Sequence, residues 1–148
     1  MSFFSLATIV SVGLMIGVEL AVWVFINPVV WTLENGGQAH AAQLFAKRLG
    51  TAMPFWYTAN FMLLVVETTL ERGHAAFRLL SAASGIWAAV IVLTLIFLVP
   101  INNRLARPDA SWSIEHSHRQ HLRWHAMHRA RVIALGAAFV LLLIGLRF

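Results

Sequence analysis

Four long apolar stretches in a short chain dictate what this sequence can become. They run from about Phe4 to Val30, Met53 to Leu70, Phe77 to Ile101 and Arg131 to Leu146. A bilayer core is crossed by about 20 helical residues. The first and third stretches are comfortably long, the second carries Glu67, and the fourth is short. Of 148 residues, 59% are hydrophobic and 11% charged, against about 25% charged in soluble domains. A body this small has no interior large enough for so much apolar surface. The sequence therefore predicts an all-α fold: a four-helix transmembrane bundle in a single domain over residues 1–148, with the lipid bilayer as its first partner.

The connections are unequal. Glu71-Arg72-Gly73-His74 makes a tight turn between the second and third spans. Glu34-Asn35-Gly36-Gly37 breaks the chain after the first, and 38–49 then reads as a short interfacial helix. The longest polar segment, 102–129, turns at Pro108-Asp109, and from Ser113 onward a polar helix is expected to run into the fourth span. Rows of small residues (Gly13, Gly17 and Ala21; Ser81, Gly85 and Ala89; Ala130, Ala134 and Ala138) have helix-packing spacing, and any left exposed can serve a homo-oligomer. Four spans put the two connections 1–2 and 3–4 on one side. That side holds Lys47, Arg48, Arg104, Arg107, Arg119, Arg123, Arg129 and Arg131, against Arg72, Arg78 and Arg147 on the other. The asymmetry predicts a multi-pass protein with both connections cytoplasmic, and a bacterial inner membrane as its expected location. No Lys or Arg precedes the first stretch and no cleavage site follows it, so a retained span is expected.

Charge and composition also exclude functions. The net charge of +5 comes from loops between apolar spans, which suits anionic headgroups or a buried polar site and not nucleic acid. The absence of cysteine removes disulfides, iron–sulfur clusters and thiol nucleophiles. No nucleophile elbow or phosphate loop is present, and no histidine lies mid-span to hold haem.

The informative residues are polar ones placed where polarity is expensive. Glu19 lies deep in the first span and must face the bundle interior, with Trp23 and Asn27 following on its face. Trp56, Asn60 and Glu67 share a stripe in the second span, with Tyr57 beside it and Glu67 expected at the far interface. Pro100 is expected to disrupt the third helix where it leaves the bilayer, followed by Asn102, Asn103 and Arg104. His118, His121, His125 and His128 follow 3-4-3 spacing, within an arc of about 80° on a helix. One pair of them with Glu19 would make a two-histidine, one-carboxylate set suited to iron, copper or zinc. A solvated interfacial helix explains the same histidines without metal, and both readings stay open. Together these groups predict a polar pocket at one end of the bundle.

Three pieces of this sequence resemble the anthrone-oxygenase-like family of small four-span membrane proteins. They are Gly17-Val18-Glu19 with Asn27-Pro28, then Val99-Pro100-Ile101-Asn102-Asn103-Arg104-Leu105, then Arg123-Trp124 with His128 and Arg131. Fungal members of that family are linked to oxidation of anthrones to anthraquinones. The resemblance implies the fold more directly than the reaction, and it does not itself imply a metal; His118, His121 and His125 lie outside the family pattern.

The expected function is an oxidoreductase or oxygenase acting on a lipophilic, aromatic small molecule. Glu19 or His128 would abstract a proton, and Asn102 and Arg131 would stabilise the developing oxyanion. Trp23, Asn27, Tyr57, Asn60, Asn103 and Arg104 would bind the substrate, and any metal would sit on Glu19, His118, His121, His125 and His128. The alternative is a non-catalytic membrane protein that binds a metal ion or small molecule, or that serves a larger complex.

Overall fold

A computed structural model describes residues 2–105 and 114–147. Helix α1 comprises Phe3–Ala21, a π turn over Val22–Ile26, and Asn27–Trp31. Helix α2 is Asn35–Leu70. Helix α3 comprises Ala76–Leu93, a second π turn over Thr94–Leu98, and Val99–Leu105. Helix α4 is Ile114–Gly145. Each contains a stretch long and apolar enough to cross a membrane. Ser2 opens α1 by accepting a hydrogen bond from the Ser5 N–H at 3.0 Å. Gly73, at φ 92°, supplies the left-handed residue that lets α2 turn back into α3.

α1 packs along α2 and α4, and α3 packs along the same two helices. The helices therefore circle in chain order, with α1 and α3 on one diagonal. The seam is filled by Val12 and Met15 of α1, Tyr57 and Leu64 of α2, Leu80, Ala83, Trp87 and Val90 of α3, and Leu135, Ala138 and Leu142 of α4, all buried. Large apolar side chains such as Leu14, Phe55 and Ile133 point outward, as lipid-facing residues do.

Two helices outreach the bilayer. α2 has 36 residues, a rod of about 54 Å, whereas the hydrocarbon core is about 30 Å thick. The segment 38–49 is helical as expected, but it runs without a break into the second span and forms the first part of α2. α4 likewise carries its polar start directly into the fourth span. The N-terminal parts of α2 and α4 therefore rise together on one side and form a collar above the bundle.

The disruption expected at Pro100 is a π turn and not a break. α3 continues past it to Leu105. In both turns the residue just before a proline bonds five residues back: Asn27 N–H to the Val22 carbonyl, and Val99 N–H to the Thr94 carbonyl. A proline ring clashes with the carbonyl four residues earlier, and widening the turn relieves that clash. Val24 and Ile96, the carbonyls concerned, lie inside the two π turns.

Glu67, expected near the far interface, faces the bundle interior beside the start of α1. It is 2% exposed and accepts hydrogen bonds from Ser5 Oγ at 3.4 Å and Thr8 Oγ1 at 3.3 Å, tying α1 to α2. The small-residue rows do not mark the closest approaches. Gly17, Gly85 and Ala89 are exposed, whereas Gly145, outside those rows, leaves only 3.0 Å between a would-be Cβ and Leu80 Cδ2.

Candidate functional site

The collar surrounds a cavity of about 420 Å³ that opens between α1, α2, α3 and α4. Its walls are largely apolar, with Val22, Ile26, Phe45, Met53, Ile91 and Leu95 among them, and its polar groups are few. A mostly apolar cavity with a small number of placed polar groups is the usual build of a small-molecule site.

At its inner end four side chains from three helices meet around Glu19. The carboxylate is 2% exposed. Its Oε1 accepts from the Tyr57 hydroxyl at 2.8 Å, and its Oε2 accepts from Arg131 Nη2 at 2.7 Å. A buried carboxylate in a membrane must find such partners, and a buried ion pair is retained only when its remaining donors and lone pairs are met. Arg131 also lies 5.6 Å from the centre of the Tyr57 ring, a cation–π distance. Trp87 fixes Tyr57 from behind, donating its Nε1–H to the Tyr57 carbonyl at 3.1 Å.

His128, 1% exposed, is locked at both ring nitrogens. Nδ1 lies 3.0 Å from Arg131 Nη2, which can only donate, so Nδ1 accepts. Nε2 then carries the proton and donates to the Glu19 backbone carbonyl at 3.2 Å. In this tautomer the 3.4 Å separation between Nδ1 and Glu19 Oε2 is proximity and not an ion pair. Trp124 stacks on the imidazole with centroids 4.9 Å apart and planes 5° from parallel. The 3-4-3 histidine spacing thus serves, at its last member, to bring α4 onto α1.

Among the described residues, three buried polar atoms of cavity-lining residues have no hydrogen-bond partner: Asn27 Nδ2, Thr94 Oγ1 and Arg131 Nε. Orphaned donors inside native proteins call for an explanation, and a ligand is one. The π turn of α1 matters here. An unbroken helix would carry Asn27 about 80° round from Glu19, and one extra residue in the turn brings the two within about 20°.

The sequence-predicted residues divide as follows. Glu19, Asn27, Tyr57, Asn103, His125, His128 and Arg131 all line the cavity. Trp23 is half-buried on the π turn and does not line it. Asn60 lies outside it too, fully buried, accepting from Ser11 Oγ at 2.6 Å and donating to Met15 Sδ at 3.3 Å. The side chains of Asn102, Arg104, His118 and His121 lie outside the described residues. Among the described residues no group of three His, Asp or Glu side chains stands close enough to hold a metal ion. Both oxygens of Glu19 are already bonded to protein donors, so a metal there would have to compete with Arg131 and Tyr57. Thr94, Trp31, Lys47 and Trp124 join the lining without having been singled out as site residues. Trp124 had a signal in its place one turn before His128; Thr94 had none, since threonine is unremarkable in a membrane helix.

Neither the comparison with curated proteins nor the comparison with solved structures returned a match. A profile described as anthrone oxygenase matches residues 41–141, a stretch that includes Tyr57, Thr94, Asn103, His128 and Arg131 and begins after Glu19 and Asn27. That stretch is more than half of the chain, and the chain belongs to the anthrone oxygenase family.

Proposed function

We propose that the protein is a membrane-embedded oxygenase that converts an activated ring methylene of a flat, lipophilic aromatic ketone into a carbonyl, using molecular oxygen. The observation that carries this reading is the Glu19–Arg131 pair on the lining of a largely apolar cavity, with Arg131 Nε buried and without a partner among the described residues. Family membership supports the reaction class.

The chemistry balances on these groups. Glu19 takes a proton from the methylene, and the electron pair moves onto the ketone oxygen, giving an enolate. Arg131, whose Nε–H has no partner among the described residues, supplies the donor for that oxygen. Negative charge thus moves from carboxylate to ligand while one guanidinium stays paired with an anion throughout, which avoids stranding charge in a low-dielectric site. Oxygen adds to the carbanion carbon, the resulting peroxide takes a proton, and loss of water leaves the carbonyl. The carbon loses four electrons and dioxygen gains them. Tyr57 and His128 position Glu19 and Arg131.

Oxygen uptake by the purified protein in nanodiscs, with anthrone as substrate and anthraquinone as product, tests this. Wild-type turnover above the spontaneous rate, lost at least about 100-fold in Glu19→Gln, is the expected result. Wild-type turnover no faster than buffer would reject it in favour of a binding protein. His125 on the cavity wall keeps a histidine-bound metal as a second reading. Metal analysis of the same untagged preparation separates the two: stoichiometric iron, copper or zinc, lost in His125→Ala, would make the oxygenation metal-dependent.

A further inference from the structure

Asn27 and Thr94 have no role in the proton and charge transfers described above, yet each carries an unpartnered buried polar atom at the cavity. We propose that they form a ligand-recognition pair, reaching the cavity from diagonal helices and each binding an oxygen substituent on opposite ends of a flat ligand. The proposal rests on the cavity being the substrate site.

Three observations carry it. First, each residue belongs to a π turn that runs into a proline, though at opposite ends of the turn: Asn27 closes that of α1 and Thr94 opens that of α3. π turns are rare and costly insertions that recur at functional sites. Second, α1 and α3 occupy one diagonal of the bundle, so the two side chains approach the cavity from different sides. Third, the atoms are the right kind. Asn27 Nδ2 donates, and Thr94 Oγ1 can donate or accept, so phenol or carbonyl oxygens satisfy both. A threonine in a membrane helix usually bonds back to a carbonyl in the preceding turn, as Thr8, Thr58 and Thr68 do here. Thr94 Oγ1 makes no such bond. Its hydroxyl is left for something else.

With Arg131 on the same lining, the cavity would read a ligand at three points: a ketone and an oxygen toward each end. Apolar walls read the ring system, and the pair sets which substituted rings are accepted. Leaving a buried donor unpaired disfavours an unsubstituted analogue as strongly as the new hydrogen bond favours the substituted one.

The test uses two probes, anthraquinone and 2,6-dihydroxyanthraquinone, the second with phenols at opposite ends of the same plane. Binding to the full-length protein in nanodiscs is read from quenching of its tryptophan fluorescence, with Trp31 and Trp124 on the cavity lining. Wild type is expected to bind the dihydroxy compound at least about 10-fold more tightly, a difference of one good hydrogen bond or more. Thr94→Val and Asn27→Leu should each erase most of that preference and lower affinity for the parent far less. Thr94→Ser, which keeps the hydroxyl, should restore it. Melting temperature without ligand should hold or rise in Thr94→Val, since no hydrogen bond is lost; a structural hydroxyl would lower it. Equal wild-type affinity for the two probes, no binding of either, or parallel losses in the variants would overturn the pair. Quinone binding requires neither oxygen nor turnover. Absent turnover with the preference intact therefore rejects the oxygenase reading alone, and turnover without the preference rejects the pair alone.

Discussion

At the scale of single residues the site is organised by what a charge requires away from water. Glu19 has its two oxygens bonded to Tyr57 and Arg131, and Arg131 Nη2 serves both Glu19 and His128. Removing one member strands another. Glu19→Gln should destabilise the protein by about 3–5 kcal/mol, because Arg131 is left buried and unpaired. The double variant Glu19→Gln with Arg131→Met should recover much of that loss while remaining inactive. Thermal unfolding in detergent checks this; additive losses in the double variant would show that the pair is not the unit. Glu19, Asn27, His128 and Arg131 were legible in the sequence because polar groups in a span are costly and so conspicuous. Thr94 was not, because a threonine ordinarily satisfies itself and sends no signal.

At the scale of elements the prolines do more than punctuate. Pro28 and Pro100 are visible in the sequence, but periodicity assigns a face from a uniform 3.6-residue turn and misses an inserted residue. Across α3, nine residues separate Thr94 from Asn103, about 180° of ideal helix, and the π turn cuts this to about 80° so that both reach the cavity. Pro100→Ala should let the turn relax to α geometry, raising the melting temperature and weakening 2,6-dihydroxyanthraquinone several-fold. A lower melting temperature with unchanged binding would mean that the proline does not set the turn. Asn60 shares a stripe with Trp56 and both bond Ser11, but a stripe does not tell depth, and neither residue lines the cavity. That Glu67 faces inward was not legible in α2 alone, since its partners Ser5 and Thr8 are borne by α1.

At the scale of the whole molecule the four-span architecture was the most legible feature, because hydrophobic length alone decides it. The excess of basic residues at the cavity end predicts that this end faces the cytoplasm. The chain contains no cysteine, so single-cysteine variants report sidedness directly. His74, 70% exposed at the α2–α3 turn, and Gly36, with open space around it, stand on opposite faces of the bundle. A membrane-impermeant maleimide applied to spheroplasts should label His74→Cys and spare Gly36→Cys. The reverse pattern would turn the cavity mouth to the outer side and make the collar's arginines part of the site's chemistry more than of its topology.

The Glu19–Arg131 pair also has a consequence for biosynthesis. Its members lie on the first and last helices, 112 residues apart. The ribosome makes α1 first, so its carboxylate enters the membrane with no guanidinium to meet it. α2 and α3, joined by a tight turn, can insert as a hairpin, but Glu19 stays uncompensated until α4 arrives. A chain stalled or truncated before α4 therefore holds a carboxylate in the membrane without its guanidinium.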